Sequence, residues 1–418
     1  MASLSIYLLT FNCARNLIDP PALAASLFTS LPPSSPLPDV IALSLQEVAP
    51  IAESFLGGAR LVPYLARAAD ALRLAAETRE PERDEVYAPV ATKAVGMTAL
   101  MVFAREDLVS TVKWVQTAGV GVGLWGMGNK GAAGVRVGFG GGRDAVLTFV
   151  GAHLAPMERN TARRNHDWED IVRGLVFDTR VAFGDGAAKG TDEAAPLLDH
   201  HDGDGGGDEG GAGKPTGLYE PATAIFFFGD LNYRTSDERP SPDAHAHFPH
   251  PAHTPDNPQH WTHLLSHDQL TRERRTRRAL HGFSEAPITF PPSYKHLRPG
   301  EGVWHWAPHR WPSWCDRVLF LTPAGEEVGG YASLPVMASS DHQGVVLAVG
   351  VKGGKRVAVS APWGVRRDWR ERRAWARRRE VLVGVLAYLV LTGEGRAVLA
   401  GVLGGAIVAW WAFSRVLA

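Results

Sequence analysis

The segment Ile225-Phe226-Phe227-Phe228-Gly229-Asp230-Leu231-Asn232-Tyr233-Arg234 runs four apolar residues straight into Gly-Asp. An unbroken apolar run of that length reads as a strand buried on both faces, not as a half-exposed one. Asp230 and Asn232, two apart at its end, point the same way. The pattern repeats on both sides of this segment. Residues 5–11 form an apolar run that stops at Asn12, residues 40–45 stop at Gln46 and Glu47, and residues 146–150 lead into His153. Residues 97–103, 318–321 and 345–349 are further strand candidates. Residues 64–79 and 161–178 carry apolar side chains at helical spacing. Polar residues just past strand ends are where an open sheet leaves room for a ligand. The expectation is an α/β sandwich with long functional loops.

The 418 residues suit one large α/β domain with appendages, and a 45% hydrophobic fraction permits a sizeable core. A formal net charge of −1 gives no overall field that would draw the chain to nucleic acid. Two distant cysteines, Cys13 and Cys315, rule out a disulfide framework and point to a reducing compartment. The N-terminus lacks the basic start and long apolar run of a signal peptide. Residues 184–217 (rich in Gly, Asp and His) and 237–260 (rich in Pro and His) have little to bury and read as mobile insertions. Their histidines show no regular ligand spacing, so a solvated loop outweighs a metal site.

Each polar strand end has a bland reading when taken alone. Asp-x-Asn is a common turn, Ser340-Asp341-His342 reads as a cap beside a surface histidine, and Glu47 or His153 could be a solvated or satisfied side chain. Together, Asn12, Glu47, His153, Asp230, Asn232, Asp341 and His342 all lie beside apolar runs. Oxygen donors without cysteine favour magnesium, and the set suits attack of water on a phosphoester. Residue types alone leave a nuclease and a phosphatase both open.

Two longer motifs narrow the choice: Phe227-Phe228-Gly229-Asp230-Leu231-Asn232-Tyr233-Arg234 and Arg310-Trp311-Pro312-Ser313-Trp314-Cys315-Asp316-Arg317-Val318-Leu319. With Gly128-Asn129-Lys130-Gly131, Ala152-His153-Leu154 and Phe290-Pro291-Pro292-Ser293-Tyr294-Lys295, they resemble the inositol polyphosphate 5-phosphatases of the endonuclease/exonuclease/phosphatase superfamily. The resemblance covers roughly residues 5–350. It implies a DNase I-like, four-layer α/β sandwich in which two mixed sheets pack between outer helices. It implies one Mg²⁺ held by Glu47 with Asn12. Asp230 would activate the attacking water and Asn232 would stabilise the phosphoryl group. His153 and His342 would contact phosphate oxygens, with Asp341 orienting His342. Tyr294, Lys295 and Arg310 would read the 4-phosphate of a phosphatidylinositol 4,5-bisphosphate headgroup, and Asn129 and Lys130 would meet its 1-phosphate side. The chain departs from the family pattern at Phe227 (usually Trp), Ser293 (usually Thr) and Gln343-Gly344 (usually Lys-Pro). The last departure removes one phosphate contact. A neutral sphingomyelinase or an abasic-site nuclease of the same fold is the alternative reading, and the Tyr-Lys and Trp-Cys-Asp-Arg motifs argue against it. An inactive lipid-binding platform is disfavoured by the intact Asp230, Asn232 and His342.

The C-terminus adds a membrane signature. Residues 366–380 hold eight arginines against three acids. Beyond them come an apolar run at 381–392, the interruption Gly393-Glu394-Gly395-Arg396, and a second run at 397–413 that includes Trp410 and Trp411. Seventeen residues of helix measure roughly 26 Å, which suits a thin bilayer such as that of the endoplasmic reticulum. The expected plan is a catalytic domain over 1–350, a basic juxtamembrane segment over 351–380 and an anchor over 381–418, with the body in the cytosol. This plan is similar to that of tail-anchored fungal 5-phosphatases. A single span is preferred over a hairpin that uses both runs, or one packed on the domain. Leu124, Trp125 and Met127, in a Gly-rich loop, could dip into lipid beside the site.

Overall fold

The structure is a computed structural model. It describes all residues except 1–2, 84, 143, 179, 184–214, 221, 251, 298–305, 324–326, 355–356, 358 and 417–418. The strands are β1 (Ser3–Asn12), β2 (Val40–Gln46), β3 (Tyr87–Val95), β4 (Thr98–Arg105), β5 (Val112–Gly121), β6 (Gly131–Phe139), β7 (Ala145–His153), β8 (Val181–Ala182), β9 (Ala224–Asp230), β10 (Asp316–Leu321), β11 (Glu327–Ser333) and β12 (Val345–Lys352). They form two six-stranded sheets, ordered β11-β12-β1-β2-β4-β3 and β10-β9-β7-β6-β5-β8. Both sheets are mixed: β1–β2 and β7–β9 run parallel, and the remaining pairs antiparallel.

The unbroken apolar runs are explained by burial on both faces. Along β1, Leu4, Ile6 and Leu8 enter the core between the sheets, while Tyr7, Leu9 and Phe11 enter a second core on the outer face. Helices α1 (Pro20–Leu27) and α3 (Val62–Arg79) cover that face, and α2 (Ile51–Leu56) lies beside them. In β9, Phe226 and Phe228 face the inner core, and Ile225 and Phe227 face a third core beneath α4 (Thr161–Gly174). The result is helix, sheet, sheet, helix, the four-layer order expected. Cys13 and Cys315 are both buried and unpaired.

The histidine-rich segment at 237–260 does not hang free. Phe248 and His260 are buried, the Phe248 ring meets that of Trp311 at 5.3 Å, and the Trp306 indole N–H donates to the carbonyl of Pro249. The other expected insertion, 184–217, falls outside the described residues except for its end, where Arg136 donates to Thr216 and Gly217.

Two short helices follow, α5 (Trp261–Leu265) and α6 (Gln269–Arg275), and two long ones close the chain. Helix α7 (Trp369–Leu391) crosses the boundary expected at 380/381. It packs on the domain beside α2, where Arg377 donates to the carbonyls of Phe55 and Leu56. Helix α8 (Gly393–Val416) absorbs the Gly-Glu-Gly-Arg interruption. Its stretch Gly393–Arg415 is long and apolar enough to cross a membrane, and apart from the buried Gly395 and the half-buried Leu399 its residues are exposed. The first apolar run therefore belongs to a helix with one side on the domain, and the second to a helix that touches little.

Phe149 stacks on Phe226 at 5.4 Å in the inner core. Phe149→Ala is expected to cost about 3–5 kcal/mol, as large buried aromatics do. Urea unfolding measures this, and a loss below about 1 kcal/mol would contradict the inner-core placement.

Candidate active site

Strand register gathers the polar ends. His153 pairs with Asp230, Asp230 with Asp316, and Gly131 with His153, so the ends of β7 and β9 and the starts of β6 and β10 share one rim. In the other sheet Asn12 pairs with Gln46 at the same end. The two rims meet where the Asn12 Nδ2 donates to Asp230 Oδ2 at 2.9 Å.

Asp230 is the hub. Its Oδ1 accepts the Asn232 N–H at 3.1 Å. Its Oδ2 lies 3.2 Å from His153 Nε2 and 3.9 Å from His342 Nε2. Burial pushes the carboxyl pKa up, but His153, His342 and Lys130 outweigh it and hold Asp230 well below the usual carboxylate range. Burial lowers the His153 pKa, and the neighbouring Lys130 ammonium adds to the effect, so this imidazole is neutral. Its Nε2 meets both the Lys130 ammonium and Asp230. A neutral ring nitrogen accepts from the first or donates to the second, but not both. Lys130 is itself largely withdrawn from solvent, which lowers its pKa against the pull of Asp230 and Glu47.

His342 behaves oppositely. Burial would depress it, but Asp316, 2.9 Å from Nδ1, and Asp230 on its other side raise its pKa to about 9. At neutral pH it is an imidazolium between two carboxylates. Ser293 Oγ donates to the same Asp316 oxygen at 2.7 Å and fixes its orientation. This corrects one expectation. Asp341 does not orient His342; its carboxylate is turned to the Lys295 ammonium, 2.5 Å away, and Asp316 holds the imidazole instead.

The remaining expected residues take their places around this centre. The Asn232 Nδ2 donates to the carbonyl of Leu154, and its Oδ1 accepts from Arg234, a buried guanidinium lying over the Tyr294 ring. The Tyr294 ring lies 4.4 Å from that of His342, which also brings Lys295 to the rim. Arg310 rests on Met157 and Glu158, just past the end of β7. Glu47 is partly exposed and pairs with Arg15 at 3.2 Å and Lys130 at 3.8 Å. Glu47 and Asn232 both hold left-handed backbone (φ 44° and 57°), which costs roughly 1–3 kcal/mol each and concentrates at functional sites. The Asn129 Oδ1 is buried with no hydrogen-bond partner among the described residues. Gln343 stands where the family pattern has lysine. It turns inward, its Nε2 donating to the carbonyl of Leu334. Of the loop expected to meet lipid, Leu124 and Trp125 are exposed, but Met127 is buried against Phe55 and Met97, with Val383 of α7 packed on the same cluster.

For a hard cation, the rim offers the Glu47 carboxylate, the Asn12 carboxamide and the ionised Asp230. The Asn12 Oδ1 already accepts from the Ala14 N–H and keeps one lone pair. Donors of Asp230, Asp316 and His342 also cluster within 4.8 Å. There, however, the imidazolium already supplies the positive charge, so the oxygen set at Glu47 fits a divalent cation better. Asp316, Ser293 and Arg234 were not singled out as site residues from sequence. Asp316 could have been found, because it lies inside the second motif at the start of β10, directly opposite Asp230.

Residues 9–348 match the family described as Endonuclease/Exonuclease/phosphatase family 2. The chain belongs to the endonuclease/exonuclease/phosphatase family. Within it, the resemblance to inositol polyphosphate 5-phosphatases holds in the curated relatives. A phosphatidylinositol 3,4,5-trisphosphate 5-phosphatase of Danio rerio is 29% identical over 56% of this chain and 16% of its own length. A polyphosphatidylinositol phosphatase of Saccharomyces cerevisiae is 28% identical over 75% of this chain and 24% of its own. An inositol-1,4,5-trisphosphate 5-phosphatase of Schizosaccharomyces pombe is 30% identical over 59% and 18%. The chain thus spans a quarter or less of the length of these relatives. Among solved structures, the 5-phosphatase domain of a synaptojanin, in complex with inositol (1,4)-bisphosphate and a calcium ion, superposes with a TM-score of 0.61 at 22% identity, covering 91% of this chain and 90% of that one. A Cimex nitrophorin ferrous NO complex superposes at 0.51 with 17% identity, covering 84% and 99%. So different a neighbour shows that the fold alone does not fix the chemistry, and that the rim residues must.

Because the His342 pKa is raised on folding, its contribution to stability is complete below about pH 6.5 and is lost as pH rises through about 9. Asp316→Asn, which can still accept a hydrogen bond but carries no charge, should remove most of that loss. Urea unfolding of both proteins on either side of this window checks it, and equal pH dependence would contradict the ion pair.

Proposed function

We propose that this protein hydrolyses the 5-phosphate of phosphatidylinositol 4,5-bisphosphate. One observation carries the reading: an ionised, buried Asp230 is surrounded by His342, His153, Lys130 and Asn12 on a single rim. Phosphoryl transfer needs positioning and charge neutralisation more than covalent chemistry, and this rim supplies both.

In this account Asp230 orients the attacking water and takes its proton. The water oxygen bonds to phosphorus as the bond to the inositol 5-oxygen breaks; the leaving oxygen takes a proton from solvent water and Asp230 returns its own to solvent, leaving inorganic phosphate and a 5-hydroxyl. The His342 imidazolium lies against the phosphate oxygens as their charge redistributes. Neutral His153 donates a hydrogen bond to the phosphate once Lys130 swings from it to the substrate. Asn232, fixed by Leu154 and Arg234, aims its remaining N–H at the phosphoryl group. Glu47 and Asn12 would hold Mg²⁺, which when bound neutralises phosphate charge and polarises water. Lys295, Tyr294 and Arg310 read the 4-phosphate, and Asn129 and Lys130 face the 1-phosphate side. Asp341 is released from Lys295 when substrate arrives, which makes it a placeholder for that phosphate.

A lipid substrate is favoured because the candidate span in α8 confines the domain to a membrane surface. We place that surface at the cytosolic face of the endoplasmic reticulum, with α8 as a single anchor and Leu124 and Trp125 touching the headgroup layer.

The test uses the full chain with vesicles carrying phosphatidylinositol 4,5-bisphosphate, 4-phosphate or 5-phosphate, with Mg²⁺ and then with EDTA. The expected result is metal-dependent conversion of the bisphosphate to the 4-phosphate lipid, with the 4-phosphate lipid itself inert. Cleavage of sphingomyelin or DNA in place of the inositol lipids would overturn the reading.

A further inference from the structure

The contact between α7 and the Gly-Asn-Lys-Gly loop has no counterpart in the mechanism above. Glu380, on the domain-facing side of α7, is 6% exposed and accepts the backbone N–H of Gly128 at 2.7 Å. Gly128 is held from the other side as well: its carbonyl accepts the Met97 N–H at 2.9 Å, and a Cβ on it would come within 2.7 Å of the Gly96 nitrogen. The carboxylate is anchored in turn. Arg377 lies 3.5 Å from its other oxygen and donates to the carbonyls of Phe55 and Leu56 at 2.6 and 3.0 Å. One residue earlier than Glu380, the Arg379 guanidinium donates to the carbonyl of Trp125 at 2.9 Å. Beneath these bonds Met127 packs with Phe55 and Met97. The loop from Leu124 to Gly128 is therefore tied to α7 through its carbonyl at one end and its N–H at the other. Two residues beyond Gly128 stands Lys130, whose ammonium reaches His153 and Glu47.

We infer that Glu380 is a positioning residue for the active-site loop. It sets the place of Lys130 and Asn129, and so makes the helix leading into the anchor part of the catalytic unit. The proposal rests on the proposed reading of those two residues as substrate contacts. A charged acceptor on a backbone N–H is among the stronger hydrogen bonds, and its loss leaves a buried donor unmet. The consequence is mechanical. Whatever pulls or tilts the anchor is transmitted through α7 to the loop that carries the ammonium, without any change at Asp230 or His342.

The experiment uses the full chain in detergent micelles and two variants. Glu380→Ala removes the acceptor, while Glu380→Gln keeps an oxygen for the Gly128 N–H. The substrate is soluble inositol 1,4,5-trisphosphate, so membrane contact contributes nothing to the readout. Glu380→Ala should raise KM about tenfold and leave kcat within about threefold, as loss of uniform binding does. Glu380→Gln should stay within about twofold of the wild type. Hydrogen exchange across residues 122–131 should quicken in Glu380→Ala only, with β1 and β12 unchanged. Wild-type KM and exchange in Glu380→Ala would overturn the inference, as would an equal fall in kcat, thermal stability and exchange protection everywhere. If the wild-type chain leaves the trisphosphate intact, the proposed reaction fails on its own, and exchange across the loop decides this inference.

Discussion

A carboxylate buried at a strand end must be given positive charge or lose its own. Asp230 is almost fully buried, and the rim is arranged around that requirement. His342 is protonated because Asp230 and Asp316 flank it, and Lys130 stays near because Asp230 and Glu47 draw it in. His153, left with burial and a neighbouring ammonium, is neutral. His342 thus takes its charge from two aspartates, while His153 stays neutral against the pull of Asp230. The cations of the rim are paired to acids: Lys130 to Glu47, Lys295 to Asp341, Arg310 to Glu158.

The sandwich makes this arrangement possible. Neither sheet alone holds the set, since Asn12 and Glu47 come from one and His153, Asp230 and Asp316 from the other. The Asn12–Asp230 hydrogen bond closes the gap at the rim, and deeper in, the Ser44 hydroxyl donates to the carbonyl of Phe228 across the two sheets. Inner-core packing therefore sets the width of the active site. Burial of the Phe149 and Phe226 rings fixes the spacing between the sheets, and the rim residues inherit that spacing. The tail enters the same framework: α7 extends the loop side of the rim toward a helix suited to a bilayer.

Much of this was legible in the sequence, for a physical reason. Strands buried on both faces are written as unbroken apolar runs, so β1, β2, β7 and β9 and their polar ends stood out. Strands β5 and β6 did not, because glycines and residues such as Lys113, Gln116 and Arg136 break the apolar signal that pairing between neighbouring strands makes unnecessary. Asp341, implied by the family resemblance as the residue that orients His342, pairs with Lys295 instead. Asp316, 26 positions away, comes within 2.9 Å because β10 runs antiparallel to β9. Met127 was read as lipid-facing from its apolar neighbours, and only the docking of α7 reveals that it is covered. Contacts between distant segments carry no local pattern, so no reading of composition or spacing anticipates them.

The account depends most on Asp230, and the most direct measurement is kcat/KM of Asp230→Asn against phosphatidylinositol 4,5-bisphosphate, with thermal stability followed in parallel. The variant keeps the shape of the side chain and most of its hydrogen bonds. The expected result is a fall on the order of 10³-fold or more with the fold intact, the loss of several kcal/mol of transition-state stabilisation. Activity within about tenfold of the wild type would place the chemistry elsewhere and contradict the account.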